Sequence, residues 1–183
     1  MTYKEKLIEF NSTPKYKQEL DFLFKLMYPS TFDHILDYGS GIGTAVNKLV
    51  TKGFEHAYGY DVNVYTDDQY RFRNKFYFKF EQVYFMHSIA HIPANDCLQS
   101  LKELLNQGAK LTVITPNKDW LGLQDKTNYN PDETVIEHFN IKTLSQLFID
   151  NGFDIQLTGQ FGAVTEHGSG NQNERIFLQA TYE

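Results

Sequence analysis

Short apolar runs alternate with amphipathic segments along most of the sequence, and this alternation limits the possible folds more than any other feature. The runs HILDY, HAYGYD and AKLTVITP predict strands. The segments TAVNKLVTKG and NDCLQSLKELLNQG carry apolar stripes and end in glycine, a pattern typical of helices. Strands that alternate with helices in this way predict a mostly parallel sheet with helices on both faces.

The two ends of the chain add to this architecture. Residues 14–28 repeat apolar side chains at helical spacing, which predicts an amphipathic helix within a helical cap at residues 1–30. At the other end, the runs FDIQLTGQF and RIFLQATY alternate apolar and polar residues and predict two strands. We expect these strands to form a hairpin across residues 163–173, which gives the sheet an antiparallel edge.

The length and the net charge of the sequence limit the kinds of protein that it can encode. The sequence has 183 residues, enough for one domain with a sizeable core, and we expect a single domain over residues 1–183. The formal net charge of −6 argues against a general nucleic-acid binder, whose affinity depends on neutralising phosphates. The basic and aromatic run at residues 71–79 fits a strand with a solvated basic face better than a nucleic-acid patch.

The cysteine count and the absence of long apolar stretches bear on the compartment. A single cysteine, Cys97, excludes a disulfide framework, fits a reducing compartment, and is expected in the core. The N-terminus lacks the apolar centre of a signal peptide, and no apolar stretch is long enough to span a bilayer. We therefore expect a soluble cytoplasmic protein with no membrane partner. The sequence makes no prediction of the oligomeric state.

The stretch ILDYGSGIGTA removes side chains directly after the first predicted strand, where a ligand can approach the backbone. A P-loop would need a lysine beside Thr44, and none is present. A nicotinamide or flavin site has the spacing G-x-G-x-x-G, whereas this stretch has G-x-G-x-G. Asp37 stands two residues before the first glycine, where its charge would repel a pyrophosphate and attract an ammonium group. The stretch thus points away from a dinucleotide, with a nicotinamide-dependent oxidoreductase as the weaker alternative.

At these residues the chain resembles the class I S-adenosylmethionine-dependent methyltransferases. Their first motif, acid-x-Gly-x-Gly-x-Gly, stands at residues 37–43, and the acid that ends their second strand matches Asp61 in YGYD. The segment QVYFMHSIAHIP is similar to their fourth strand, and Thr115-Pro116-Asn117 to the end of their fifth. The late segment HFNIKTLSQLFIDNGFDI is similar to one in small-molecule members. The resemblance covers nearly the whole chain.

The resemblance implies a Rossmann-like α/β fold: a doubly wound, mostly parallel, seven-stranded sheet with an antiparallel edge hairpin. It implies methyl transfer from S-adenosylmethionine to an oxygen or nitrogen of a small-molecule acceptor. A nucleic-acid acceptor is not expected, because the Asn/Asp-Pro-Pro-aromatic tetrad of nucleic-acid enzymes is missing. The alternative is a non-catalytic binding or scaffold protein of the same fold.

The cofactor-binding residues follow from the same resemblance. Asp37 would organise the methionine end of the cofactor, and Asp61 would accept hydrogen bonds from both ribose hydroxyls. The full set of expected cofactor-binding residues is Asp37, Tyr38, Gly39, Ser40, Gly41, Gly43, Asp61, Val62 and His87.

The segment after Asp61 is short for this family, and the usual third strand has no clear match. The aromatic run KFYFKF supplies either a short third strand or none, in which case the adenine pocket is built differently. Candidates for stacking on the adenine are Tyr60, Val62 and the aromatic side chains near Tyr77.

Three histidines are candidate catalytic residues: His87, His91 and His138. A histidine can remove a proton from an acceptor near neutral pH. His87 and His91 stand four residues apart and would share a helical face suited to a metal. However, the glutamate ligands of some ubiquinone-pathway O-methyltransferases correspond to His87 and Ala90, so we expect no metal site. The alternative is a structural role for both histidines.

Residues 117–139 show little periodicity and predict a long loop at the carboxyl end of the fifth strand. We expect this loop to act as a lid over the acceptor. Its side chains Trp120, Leu121, Leu123 and Tyr129 would line the acceptor pocket or close it against water. The alternative is that Trp120 only anchors the loop to the rest of the domain.

Overall fold

A mixed sheet forms the centre of the fold. The computed structural model describes residues 2–63, 65–66, 68, 71–120, 134–162 and 174–183. The strands in this part of the chain are β1 (Ile35–Tyr38), β2 (Ala57–Tyr60), β3 (Phe80–Met86), β4 (Leu105–Pro116), β5 (Phe153–Phe161) and β6 (Arg175–Tyr182). They lie in the order β2-β1-β3-β4-β6-β5. Strands β1 to β4 are parallel to one another, and β6 is antiparallel to both β4 and β5.

Helices connect and cover the strands. They are α1 (Tyr3–Ser12), α2 (Pro14–Met27), α3 (Thr44–Thr51), α4 (Ala94–Leu101) and α5 (Ile141–Asp150). Thr13 caps α2 and Asn140 caps α5, each through a side-chain oxygen that accepts a backbone N–H of the first turn. No helix in the described ranges has the length and apolarity needed to cross a bilayer.

Both faces of the sheet are covered. Successive residues of β3 point to opposite sides, so Val83 and Phe85 join a core with α4 and α5. Tyr84 and Met86 join the other core, with α2 and α3. The doubly wound arrangement is therefore confirmed. The antiparallel edge is confirmed too, as β5 and β6, while their connection at residues 163–173 lies outside the described residues.

The strand predicted at AKLTVITP, which is β4 in the structure, starts earlier than expected. The sequence indicated a helix that ends at Gly108, but α4 ends at Leu101 and β4 begins at Leu105. Leu105 is fully buried and pairs with Phe80, so packing of its side chain extends the strand. Gly108 has φ 78° and lies where the β3–β4 register shifts, as expected for glycine at a bulge.

The sheet has six strands in the described part of the chain, where we expected seven. At the position of the missing strand, the N–H of Gly59 donates to the carbonyl of Arg71 (2.9 Å), and the N–H of Arg73 donates to the carbonyl of Gly59 (3.2 Å). These bonds form one isolated parallel bridge between Gly59 and Phe72. The run KFYFKF supplies no additional strand, since its last residue already begins β3.

The ring of Phe72 fills the space beside this bridge. A Cβ on Gly43 would lie 2.3 Å from the ring, and a Cβ on Gly59 would lie 2.5 Å from it. Real Cβ atoms do not approach other atoms so closely, so both positions need glycine for the ring to fit. Phe72 thereby fastens the single bridge to the start of α3.

We expect Phe72→Ala to lower the free energy of unfolding by about 2–3 kcal/mol, somewhat less than the usual cost at a fully buried phenylalanine. The measurement is urea denaturation followed by circular dichroism. Tyr77→Ala is the control, because Tyr77 is 82% exposed and its loss should cost less than about 0.5 kcal/mol. Equal effects of the two substitutions would show that Phe72 does not fasten the bridge.

Candidate functional site

The carboxyl end of β1 enters a glycine loop, residues 39–43, that leads into α3. Gly39 has φ 83° and Gly41 has φ 53°, in the left-handed region where glycine is favoured. A Cβ on Gly39 would lie 2.3 Å from Cβ of Ser88, so the loop fits closely against the end of β3. At Gly41, the only atom of the described chain within 4 Å of such a Cβ is Cδ1 of Leu7, at 3.4 Å. On the side where a side chain would project, helix α1 is therefore the only part of the described chain that approaches Gly41.

Asp61 follows β2 and contacts the glycine loop. Its Oδ2 accepts a hydrogen bond from the N–H of Gly41 (2.8 Å), and its Oδ1 accepts one from the N–H of Asn63 (2.9 Å). The carbonyl of Tyr60 accepts hydrogen bonds from two further N–H groups of the loop, at 2.8 and 2.9 Å. Val62, which comes next, is 77% exposed. The end of β2 and the glycine loop thus form one polar surface with an apolar side chain at its rim.

Two other predicted site residues face away from this surface. The side chain of Tyr38 packs on Tyr60, with ring centroids 4.8 Å apart, and borders the core that contains α4 and the buried Cys97. Only its backbone carbonyl faces the loop, where it accepts a hydrogen bond from the hydroxyl of Ser88. Ser40 is buried, and its hydroxyl has no hydrogen-bond partner among the described residues.

Asp37 is a buried carboxyl group at the centre of β1. Its side chain is 2% exposed, and Oδ1 has no hydrogen-bond partner of normal geometry in the described chain. Burial raises the pKa of Asp37 to about 8, the neighbouring hydroxyl of Tyr84 opposes this rise, and the charge of Asp61 adds to it. The carboxyl group is therefore protonated at neutral pH without a ligand, and a nearby cation would favour its ionisation.

His87 directly follows β3 and has φ 62°, an uncommon conformation for a residue with a side chain. Its Nε2 lies 2.6 Å from Oε2 of Glu19 on α2, a carboxylate that is 1% exposed. The other carboxylate oxygen lies 2.9 Å from Nε of Arg175 on β6, an ion pair whose N–H is not aligned as a hydrogen bond. The site thus includes a buried carboxylate that lies between an imidazole and a guanidinium group.

For both His87 and Glu19, burial and the hydrogen bond between the two side chains act on the pKa in opposite directions. Burial lowers the pKa of His87, although the Glu19 carboxylate works against this shift. Burial also acts to raise the pKa of Glu19, but the hydrogen bond to His87 and the charge of Arg175 outweigh it, so that pKa lies below its usual value. At neutral pH the arrangement is an ionised carboxylate that holds a neutral imidazole.

Sequence reasoning missed Glu19, Arg175 and Tyr84. Glu19 left a signal, because it interrupts the apolar stripe of α2 at a position that faces the core together with Tyr16 and Leu23. An acid at such a position is rarely buried without a partner. Tyr84 and Arg175 carry no comparable local signal, since their contacts arise only when strands and helices distant in sequence come together.

The other two predicted histidines lie in different surroundings. His91 ends a short 3₁₀ turn after β3, and its Nδ1 lies 2.7 Å from the hydroxyl of Thr134 in an exposed position. His138 is exposed and precedes Phe139, which forms an isolated bridge with Asn117 at the end of β4. Within the described ranges, no group of three or more His, Cys, Asp or Glu side chains is placed to hold a metal ion.

Helix α1 lies across the glycine loop. Leu7 approaches Gly41, and the Nδ2 group of Asn11 donates a hydrogen bond to the hydroxyl of Thr44 at the start of α3 (2.9 Å). The ring of Phe10 meets the imidazole of His87 edge to face, with centroids 5.7 Å apart. One face of α1 thereby spans the loop and His87.

Of the expected lid, residues 117–139, the structure describes only residues 117–120 and 134–139. The N–H of Trp120 donates to the carbonyl of Asn117, and the buried indole Nε1 has no hydrogen-bond partner among the described residues. The remaining side chains of that prediction, Leu121, Leu123 and Tyr129, lie outside the described residues.

We expect the free energy of unfolding of Asp37→Asn to exceed that of the parent by a margin that grows between pH 5 and pH 8. Native Asp37 keeps its proton up to about pH 8, whereas an unfolded aspartate loses it near pH 3.9 (about the value in model peptides). The native state therefore binds more protons in this window, so parent stability falls as pH rises. Asparagine cannot ionise, and the variant escapes this loss.

Urea denaturation at pH 5, 6.5 and 8 measures the effect. Glu103→Gln is the control, because it removes one formal charge from an exposed carboxylate. A margin for Asp37→Asn that stays constant with pH, or that the control reproduces, would contradict the prediction.

The family model described as "Methyltransferase domain" matches residues 7–158 of the sequence. The matched segment contains the glycine loop, Asp61, Asp37 and His87. Among curated proteins, none matches the sequence significantly.

Solved structures have the same architecture. A SAM dependent methyltransferase from Aquifex aeolicus is similar with a TM-score of 0.71 and 15% identity, over 100% of both chains. Magnesium protoporphyrin IX methyltransferase from Synechocystis PCC 6803 with bound SAH gives 0.66 and 18%, over 92% of this chain and 84% of that one. A possible histamine N-methyltransferase from Thermotoga maritima gives 0.69 and 15%, over 92% and 89%. At these identities the similarity establishes the fold.

Proposed function

The chain belongs to the methyltransferase-domain family, whose methyl donor is S-adenosylmethionine, and on this premise we propose that it methylates an oxygen or nitrogen of a small molecule. The observation that carries the proposal is the contact of the Asp61 carboxylate with the N–H of Gly41, at 2.8 Å. This contact brings the second motif acid onto the glycine loop, beside the strand that carries the first. Such a pair of acids suits a ligand that joins an amino acid, with its ammonium group, to a nucleoside, with its ribose hydroxyls.

The residues present fit this cofactor at two points. The buried Asp37 has an oxygen without a partner, which can receive the amino group of the methionine portion directly or through a bridging hydrogen bond. Gly41 has no side chain and leaves the loop backbone open to close approach. The cofactor supplies an already activated methyl group, so the protein's residues have to bind it, orient the acceptor and remove the acceptor's proton.

Asp61 and Val62 would hold the nucleoside end. A carboxylate has about four acceptor positions, and two hydrogen bonds to backbone N–H groups leave room for two ribose hydroxyls. The exposed side chain of Val62 offers an apolar surface for the adenine ring. Since the third strand is reduced to one bridge, the adenine would rest on the segment after Asp61 instead of on a further strand.

Among the predicted catalytic residues, His87 has the strongest support as the group that takes the acceptor's proton. It follows β3, and the adjacent Ser88 is packed against Gly39 of the glycine loop. His91 and His138 stay secondary candidates, placed beside the segment that follows β4. Trp120 and the segment after it are the proposed lid.

A small-molecule acceptor has support from two sides. One of the similar solved structures is named a magnesium protoporphyrin IX methyltransferase, and another a possible histamine N-methyltransferase. The net charge of −6 disfavours binding of nucleic acid. A cytoplasmic location fits the single cysteine, which is buried and free.

One observation favours a non-catalytic binding or scaffold protein as the second candidate. In the described part of the chain, the third strand, which usually borders the adenine, is reduced to one bridge. A protein that has lost this border could keep the fold and lose cofactor binding. Titration with the cofactor separates the two candidates.

Calorimetric titration should show S-adenosylhomocysteine binding in the micromolar range and no binding of NAD. Asp61→Ala should weaken this binding by about 2–3 kcal/mol, the scale of hydrogen bonds to a charged group. Asp96→Ala is the control, because it removes an exposed carboxylate from α4. Absence of heat at millimolar S-adenosylhomocysteine would favour the scaffold candidate, and binding of NAD alone would overturn the assignment to methyl transfer.

We further propose that α1 closes over the bound cofactor. The double variant Leu7→Ala/Phe10→Ala should raise the dissociation rate of S-adenosylhomocysteine on the order of tenfold, since it removes the apolar contacts of α1 with the site. Surface plasmon resonance measures this rate. Ile8→Ala, which truncates a side chain of the same helix that is 51% exposed, should leave the rate unchanged. A rate unaffected by the double variant would exclude α1 as the cap.

A further inference from the structure

We propose that Glu19 is the positioning residue of a general base, His87, which accepts the proton of the acceptor during methyl transfer. This inference rests on the proposed function, because the base acts in the same reaction. It adds a residue that lies outside the sequence motifs, on α2, and a property of the acceptor: its nucleophile has to lose a proton.

His87 lies beside the proposed cofactor position. Its neighbour Ser88 is packed against Gly39, and Phe10 of α1 contacts its ring. Leu7, on the same helix, approaches Gly41. Three residues of helix span about 4.5 Å along the axis, so the imidazole and the open part of the glycine loop lie under adjacent turns of α1.

The Glu19 carboxylate fixes which nitrogen of His87 carries the proton. An ionised carboxylate only accepts hydrogen bonds, so Nε2, at 2.6 Å, has to be the donor. In the neutral imidazole, Nδ1 then carries the free electron pair. Nδ1 has no hydrogen-bond partner in the described ranges of the chain. The ring is thus oriented with its basic nitrogen available.

The surrounding charges keep Glu19 ionised. Arg175 lies 2.9 Å from its second oxygen. Glu174 forms ion pairs with both Arg175 (3.2 Å) and Lys15, so the two cations are partly compensated by a second carboxylate. The charged groups that act on His87 are therefore Glu19, Arg175 and Lys15. A carboxylate this deeply buried is costly unless it is paired on both sides, as it is here.

The reaction step balances with these groups. The acceptor's oxygen or nitrogen forms a bond to the methyl carbon, the carbon–sulfur bond breaks, and its electron pair stays on the sulfur. The acceptor's proton passes to Nδ1 of His87. Positive charge disappears from the sulfur and appears on the imidazole, where the Glu19 carboxylate stabilises it. An acceptor that is already an anion would need no such base, so the arrangement suits a hydroxyl group or a neutral N–H group.

The first test reads the tautomer of His87 by long-range ¹H–¹⁵N correlation spectra of protein labelled in its histidines, with His87→Gln for assignment. We expect Nε2 to carry the proton in the parent. In Glu19→Gln the amide oxygen stays towards Arg175, which can only donate, so the amide NH₂ faces Nε2 and the proton moves to Nδ1. Glu81→Gln is the matched control, because Glu81 lies 3.3 Å from Nδ1 of a different histidine, His34.

A purely structural Glu19 would affect stability without setting the tautomer. A proton on Nδ1 in the parent, or the same tautomer in the parent and Glu19→Gln, would overturn the proposal. Glu81→Gln should leave the signals of His87 unchanged. A tautomer change in that control would assign the effect to a general loss of packing and would also overturn the proposal.

The second test asks whether His87 faces the transferred methyl group. The pKa of His87 is measured by the same spectra in complexes with S-adenosylmethionine and with S-adenosylhomocysteine. Only the former carries a sulfonium charge, which should lower the pKa of His87 relative to the latter. The ring ¹⁵N signals of His34, near the opposite ends of the strands, should not differ between the two complexes. Equal pKa values of His87 in the two complexes would overturn the inference that His87 is the general base.

Calorimetry on the same samples distinguishes failure of the proposed function from failure of the role assigned to Glu19 and His87. If neither ligand binds, the proposed function fails and this inference fails with it. If both ligands bind and His87 does not respond to the sulfonium charge, the proposed function stands and only the role of the Glu19–His87 pair is excluded.

Discussion

The site depends on one constraint: β1 is paired in parallel on both sides, with β2 and with β3. Parallel strands end at the same edge of a sheet, so the residues that follow all three strands meet there. The glycine loop after β1 contacts Asp61 after β2 and Ser88 after β3. Residues far apart in the sequence become neighbours because their strands share a direction and a register.

Two buried acids near this edge, Asp37 and Glu19, are stabilised in different protonation states. Asp37 has an oxygen without a partner and avoids the cost of a buried charge by holding a proton, as its pKa of about 8 indicates. Glu19 stays ionised because His87 and Arg175 lie on either side of it. The first acid can respond to an arriving cation, and the second is a fixed charge that orients its neighbour. Burial alone does not decide the state of a carboxyl group; its partners do.

Local sequence patterns predict single helices, strands and motifs, but not the contacts between elements that are distant in the sequence. The strands β5 and β6 and the glycine loop were predicted because their signals lie within a few consecutive residues. The Glu19–Arg175 ion pair was not predictable in this way, since it joins α2 to β6 across the whole fold. The run KFYFKF has strand composition, yet Phe76, Phe78 and Phe80 pack around Tyr58 as a cluster. The aromatic content that suggested a strand is used for core packing.

Within the described chain, the three glycines of the loop have different surroundings. Gly39 lacks a side chain because Ser88 is in the way, and Gly43 lacks one because the Phe72 ring is. Both are explained by packing within the protein. At Gly41, the only atom of the described chain near the position of a Cβ is Cδ1 of Leu7 on α1, while the N–H of Gly41 donates to Asp61. A motif that looks uniform in sequence therefore contains two glycines that packing of the described chain requires and a third that such packing does not explain.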